Sequence, residues 1–433
     1  MIKVISTAAD SARLERLLGR IRGRSVALDD CLMSEVASII RDVSIRGDAA
    51  LIDYAAQFDE CVLRPSELQV SEVELRETAA RVDGCVLEAL REAISSVRAF
   101  HEAETQDSWE METKSGVHIG QRITPIERVG LYVPGGTASY PSSVVMNVVP
   151  AQVAGVERIV VATPPRAIHG NPAVAAALVE LGVTEIYAVG GAQAIAALAF
   201  GTETVPRVHK ITGPGNRYVA AAKKLVFGTV GIDSIAGPSE VVIIADDTAR
   251  ASFVASDLLA QAEHGEDASA ILITTSNTLA LEVVRKLAEQ MGELSRAPVI
   301  EKSLAQYGGI ITVNDMEEAC ALVNELAPEH LQIMTRNEVD IAARIRHAGA
   351  IFFGANTPEA VGDYLAGPNH VLPTSGAARF SSALSVHDFT RRTSIVKFSA
   401  SEMKRTAPLI AALARSEGLD AHARSALIRL EES

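Results

Sequence analysis

Helical periodicity dominates the first third of the chain. Apolar residues return with helical spacing across 34–40 and 48–54, and a longer amphipathic stretch runs from about Glu72 to Thr105. Near residue 117 the texture changes. The stretches 118–123 and 128–133 read as short strands. Strands and helices then alternate: strand 158–163, helix 172–181, strand 185–189, helix 192–200, strand 210–212, helix 217–226. A second series follows: strand 240–245, helix 253–264, strand 270–274, helix 278–291, strand 309–313. A helical pattern over 316–326 then meets Pro328 and an apolar run, 331–334. Repeated strand–turn–helix units predict parallel sheets, because parallel strands need a crossover between them. The expectation is an α/β protein with two doubly wound parallel-sheet domains and a cleft between them. The last fifty or so residues differ. A strand pair near 394–398 and then helices through 433 predict a small separate tail domain.

Composition narrows the class. A chain of 433 residues exceeds one ordinary core, and two to four domains are expected. A hydrophobic share of 48% suits a soluble protein with a large buried sheet rather than a disordered chain. Forty basic against 54 acidic residues give a net charge of −14, which argues against a nucleic-acid partner. No apolar run of about 18 residues predicts a membrane span. The first residues lack a signal-peptide core, so a cytoplasmic protein is expected. Four scattered cysteines, Cys31, Cys61, Cys85 and Cys320, form no CxxC pair. Each is expected to be a reduced core residue, and none stands out as a nucleophile.

The chemistry-bearing residues fall into a few groups. Glu329 and His330 are adjacent where a helix hands over to a strand, and both types are commonly tuned for proton transfer. Alone, such a pair reads as solvated surface. Glycine turns occur at Pro134-Gly135-Gly136, Gly190-Gly191-Ala192-Gln193 and Gly213-Pro214-Gly215-Asn216, each at a strand end. Singly they are tight βα turns; together they make a nucleotide-like ligand plausible, although no GxGxxG or P-loop lysine is present. Gln261 and His264 stand at i and i+3 near the end of a predicted helix, able to hold two positions of a divalent ion or merely to face a helix dipole. Asp363 and His370 lie in a glycine-rich loop. Near the C-terminus Asp420 reads as a helix N-cap, with His422 in the first turn and otherwise a surface residue. The remaining histidines show no partner spacing.

The ordered set resembles the histidinol dehydrogenase family over almost the whole chain. It comprises Gly130 to Gly136, Gly190 to Ala194, Gly213 to Asn216, Ala236 to Glu240, Gln261 to Asp267, Pro328-Glu329-His330, Gly362 to Leu372 and Glu417 to His422. The resemblance implies NAD-dependent, zinc-requiring oxidation of L-histidinol to L-histidine by two hydride transfers through L-histidinaldehyde, the last steps of histidine biosynthesis. It implies one Zn2+ per subunit and a homodimer in which one subunit's tail completes the other's site. The implied zinc ligands are Gln261, His264, Asp363 and His422. Glu329 and His330 become the proton-transfer residues. Ser239, His370 and Glu417 match substrate contacts, joined by Gln261, His264, His330, Asp363 and His422. Tyr132, Gln193 and Asn216 match NAD contacts. His387 alone stands where an apolar or aromatic residue is expected.

The expected architecture is then two incomplete Rossmann-like domains. An N-terminal arm spans 1–26. Residues 27–131 plus 238–383 form the α/β domain with the zinc and Glu-His residues, 132–237 the NAD side, and 384–433 the tail on the partner subunit. The residue types suit the chemistry: His330 as base for the alcohol, Glu329 as activator of the water that hydrates the aldehyde. With no cysteine nucleophile, a hydrated aldehyde is favoured over a thiohemiacetal. Three other readings remain open: a paralog oxidising another small polar alcohol, a metal-dependent hydrolase with Glu329 as base, and a non-catalytic binding protein.

Overall fold

The computed structural model describes residues 2–24, 29–113, 115–135 and 140–431. Its strands, in chain order, are β1 (Val4–Ser6), β2 (Trp109–Glu112), β3 (His118–Pro125), β4 (Arg128–Tyr132), β5 (Arg158–Thr163), β6 (Glu185–Ala188) and β7 (Lys210–Thr212). They continue with β8 (Gly231–Ile232), β9 (Glu240–Ala245), β10 (Ser269–Thr274), β11 (Gly309–Thr312), β12 (His330–Met334), β13 (Ala350–Phe353) and β14 (Thr390–Lys397). Two of the sheets are parallel. One has six strands in the order β1-β11-β10-β9-β12-β13, the other five in the order β6-β5-β4-β7-β8.

The βα alternation therefore holds, with boundaries within a residue or two of expectation. Every residue of β9 and β10 is buried, as strands covered by helices on both faces must be. Several short elements were not foreseen, among them β8 at the edge of the five-stranded sheet and the helix Glu359–Tyr364. β1 and β13 complete the edges of the six-stranded sheet, and β2 lies outside both parallel sheets. The amphipathic stretch from Glu72 to Thr105 is two helices, Glu72–Ala79 and Gly84–Ala103.

The packing of the first quarter differs from expectation. The N-terminal residues are not a free arm, since β1 pairs with β11 along the sheet edge. The helices between residues 30 and 103 do not cover the 238–383 sheet. Leu32, Val36, Ile39, Val43 and Leu51 pack with Tyr132, Ile195, Leu198 and Ala221 of the five-stranded side. Leu75, Leu90 and Val97 pack with Leu131, Val161 and Leu178. Periodicity shows which face of a helix is apolar, but not which of two equally apolar sheets receives it.

The tail also differs in detail. β14 pairs antiparallel with β3 over eight residues, from Thr390↔Pro125 to Lys397↔His118, rather than with a neighbour in the tail. Beyond it Ala400–Ser416 and Asp420–Glu431 form a helical hairpin with a core of Ala411, Ala414 and Ala423. Asp420 begins the second helix instead of capping it. All four cysteines are free, but only Cys320 is buried. Cys31 and Cys85 fall in the first turns of their helices and face outward. Among the described residues no helix is long and apolar enough to cross a membrane.

Candidate active site

Strand register brings the Glu-His pair to its partners. Parallel pairing sets His330 opposite Val241 and Ser269 opposite Glu240, so β9, β10 and β12 begin on one edge of the sheet. Glu329 Oε2 accepts the backbone N–H of Glu240 at 3.0 Å. His330 Nδ1 lies 3.2 Å from the carbonyl oxygen of the same Glu240. The Glu240 side chain is itself held by a buried ion pair with Arg24 at 2.7 Å and by the Ser375 N–H at 2.9 Å. Nearby, Ser239 offers its carbonyl to Arg24 and to Ser269.

Burial sets the electrostatics. Glu329 and His330 are 5% and 4% exposed. Desolvation pushes the Glu329 carboxyl well above its usual range, and the nearby Glu240 and Asp363 charges push the same way. Desolvation drops the His330 imidazole to about 4, against the pull of Asp363. His330 is therefore neutral near pH 7. With Nδ1–H donating to the Glu240 carbonyl, Nε2 is the free, basic nitrogen.

Two helix ends face this pair. The helix Ala251–Ala262 carries Gln261 in its last turn. It stops short of His264, which lies just beyond, Nδ1 being 3.1 Å from the Ala260 carbonyl oxygen. The short helix Glu359–Tyr364 carries Asp363. His370 Nδ1 lies 3.0 Å from the Asp363 carbonyl oxygen, and burial pushes the His370 imidazole down. His264, Glu359 and Asp363 offer ligand atoms all within 4.8 Å of one another. Gln261 is fully buried, and neither amide atom has a hydrogen-bond partner among the described residues. An orphaned amide beside an imidazole and carboxylates is a donor set suited to a divalent ion, and the zinc ligands expected from this segment fit it.

The sequence reading passed over several buried groups here. Glu359 stands at i and i+4 with Asp363 on one helix face, a metal-ligand spacing that was readable in the sequence. Burial and the Asp363, Glu329 and Asp257 charges push its carboxyl well above the usual range. Asp257 is raised to about 6 by burial, with the Gln332 side chain holding it down. Arg24 and Glu240 carried no spacing signal, because their partners lie far away in the chain.

The other expected contacts sit elsewhere. Tyr132 ends β4, and its buried hydroxyl accepts the Gly191 N–H at 3.0 Å. Gln193 is buried in the helix Gly191–Phe200. Asn216 caps the helix Arg217–Val226, accepting from the Tyr218 and Val219 N–H groups. All three gather at the carboxyl edge of the five-stranded sheet, where the chain leaves central β4 for β5 and β6 on one side and then crosses back to β7 on the other. Such switch points are where open α/β sheets bind ligands. The glycines there have a packing reason: a Cβ on Gly213, whose φ is +114°, would lie 2.1 Å from the Tyr132 carbonyl oxygen. Gly136 lies outside the described residues. Glu417 and His422 are exposed on the tail hairpin, and His422 does not join the cluster of His264, Glu359 and Asp363. His387 is exposed in a turn, its carbonyl accepting from Thr390.

Fold and site together define an α/β protein of enzyme type, with a buried Glu-His pair facing an N/O metal-competent donor set and a switch point at the carboxyl edge of its five-stranded sheet. Comparison with known proteins makes this specific. Residues 23–430 match the family model for histidinol dehydrogenase. The histidinol dehydrogenase of Geobacillus kaustophilus is 54% identical over 92% of this chain and 93% of its own. That of Synechococcus is 49% identical over 99% of both. The crystal structure of histidinol dehydrogenase from Elizabethkingia anophelis superposes with a TM-score of 0.88 at 37% identity, covering 93% of each chain. The chain belongs to the histidinol dehydrogenase family, NAD-dependent oxidoreductases that convert histidinol to histidine in histidine biosynthesis.

Proposed function

We propose that this chain carries L-histidinol through L-histidinaldehyde to L-histidine at the Glu329–His330 site, with zinc bound beside it. The observation that carries the reading is the neutral His330 imidazole, with Nδ1 against a main-chain carbonyl and Nε2 free next to a buried carboxylate. In the first half-reaction Nε2 takes the hydroxyl proton as hydride leaves the carbinol carbon. In the second, water must add to the aldehyde carbon. Glu329 keeps Oε2 on the Glu240 N–H, which leaves Oε1 to take the proton from that water. Once His330 has released its first proton to solvent, the hydrate loses its second hydride and the same Nε2 accepts the remaining hydroxyl proton. One water is consumed and two hydrides leave.

Tyr132, Gln193 and Asn216 would hold NAD, which when bound would supply the hydride acceptor. Gln261, His264, Asp363 and a His422 from the partner subunit would hold zinc, which when bound orients the substrate's imidazole and amine. Ser239, His370 and Glu417 complete the substrate contacts. An exposed His422 in a chain with the rest of the donor set in place supports a homodimer with shared sites, and the biosynthetic family supports a cytoplasmic one. The test is stoichiometric: zinc-loaded protein with histidinol and NAD should form two NADH per histidinol. One would stop the reaction at the aldehyde. None, with histidinol bound, would make the chain a binding protein.

A further inference from the structure

We infer that His101 and Glu104 are positioning residues for the substrate side of the site: they fix Asn369, and through it the neighbouring His370. The inference rests on the reading of His370 as a substrate contact. His101 lies in the last turn of the helix Gly84–Ala103, and Glu104 follows that helix directly. The helix packs on the five-stranded sheet through Leu90 and Val97. The loop after the helix Glu359–Tyr364 reaches across to it. Gly367 in this loop has a φ of +105°, and a Cβ there would lie 2.9 Å from the Ser96 carbonyl oxygen.

A string of hydrogen bonds runs from helix to loop. His101 Nδ1 lies 2.7 Å from Glu104 Oε2, and this carboxylate sets the tautomer. Nδ1 carries the proton and donates, which leaves Nε2 as an acceptor. Asn369 Nδ2 donates one proton to that Nε2 at 3.3 Å and the other to the Met146 carbonyl oxygen at 2.6 Å. Asn369 Oδ1 accepts the Val371 N–H at 2.9 Å. Both amide protons and the carbonyl oxygen of Asn369 are therefore committed to the protein. His101 is fully buried and Asn369 nearly so. A group that lost its partner here would stay desolvated, so the bonds hold as a unit.

His370 sits between two anchored points. Its Nδ1 lies 3.0 Å from the Asp363 carbonyl oxygen, which leaves Nε2 for substrate. Its neighbour Val371 is held by Asn369 and buried in the core under the five-stranded sheet. The backbone of His370 cannot shift without breaking the bonds of Asn369. Met146, the other partner of Asn369, lies on the helix Pro141–Val153 in that same core. The string thus ties a substrate contact to the half of the molecule that carries Tyr132 and Gln193. Hydride transfer needs substrate and acceptor at a fixed separation, and a misplacement of about 1 Å is costly. His101 and Glu104 touch no reacting atom; they act by holding one that does the contacting.

Steady-state kinetics of the zinc-loaded protein tests this. His101→Phe keeps a ring and removes both nitrogens, Asn369→Ala removes the other end of the bond, and His101→Gln keeps an oxygen that can accept from Asn369. The expected result is a histidinol KM raised about tenfold in His101→Phe and in Asn369→Ala, with little further rise in the double variant. His101→Gln should recover most of the loss, and the KM for NAD should not move in any of them. Should His101→Phe fail to fold, Glu104→Leu, at a position whose side chain is 25% exposed, frees the tautomer without emptying the core and should raise the histidinol KM severalfold. An unchanged histidinol KM in the folded variants, or NAD and histidinol KM values raised alike, overturns the inference. His370→Ala separates it from the reading beneath it. If that variant leaves the histidinol KM unaltered, His370 is no substrate contact and both fall; if it raises the KM while the His101 and Glu104 variants do not, the inference alone falls.

Discussion

Glu329 lies against the backbone of Glu240, its Oε2 accepting that residue's N–H at 3.0 Å, while the carbonyl of the same peptide unit's residue faces the neighbouring His330. One residue of β9 therefore aims both members of the proposed proton-transfer pair. The aiming groups are main-chain atoms fixed by sheet register, so the two side chains keep separate tasks without competing for a partner.

If Glu329 activates water, Glu329→Gln should slow oxidation of histidinaldehyde by about 10²–10⁴-fold and histidinol oxidation far less. Stopped-flow measurement of NADH formation from each substrate separates the steps. Equal losses in both would reject the assignment.

His330 should also shape acid stability. Its folded-state value of about 4 lies below the unfolded 6.5, so the folded protein resists protonation. Stability is intact above about pH 6.5 and is lost as pH falls toward 4, by up to about 3 kcal/mol. Replacing His330 with Asn should flatten this dependence in urea unfolding of the metal-free protein. An unchanged slope would show that the imidazole is not held neutral.

Asp257 runs the other way. Burial raises its carboxyl to about 6, so the folded protein holds this proton more tightly than the unfolded chain. That contribution is present at low pH and lost as pH rises through about 6, a cost of roughly 2–3 kcal/mol at most. Asp257→Asn should thus raise the unfolding free energy at about pH 8 and leave it unaltered at about pH 4. A stabilisation equal at both values would assign the effect to packing.

A site shared between subunits predicts complementation. Inactive His422→Ala protein mixed with inactive Glu329→Gln protein should regain partial activity after subunit exchange, because some dimers then hold one intact site. Absence of recovery, with exchange verified by mass, would count against a His422 supplied in trans.

Much of this molecule was readable from local pattern. Continuous apolar runs such as 241–245 announced buried parallel strands, and the Glu-His pair with Gln261, His264 and Asp363 marked residues that the fold brings together as a candidate site. What pattern could not carry was distance. The helices between 30 and 103 went to the five-stranded sheet because two apolar sheets compete for them and sequence periodicity ranks neither. Arg24 and Glu240 are more than two hundred positions apart, so their ion pair exists only after folding. Glu359 was a different case, since its spacing from Asp363 was visible beforehand. The edge of the sheet was also hidden: His330 opens β12, placing the pair at the amino edge rather than at the carboxyl edge usual for such sheets.

The tail hairpin closes on three alanines, Ala411, Ala414 and Ala423, with Leu427 half-buried against them. Methyl groups bury little area, so these two helices have scant cohesion of their own. Their order is borrowed from the β3–β14 ladder and from whatever surface they rest on. In hydrogen exchange they should open earliest of the helical elements, and dilution that separates subunits should loosen them first. In the proposed dimer such an enzyme would sense its own concentration: thin the solution, and the hairpin that carries Glu417 and His422 should melt before either sheet is disturbed.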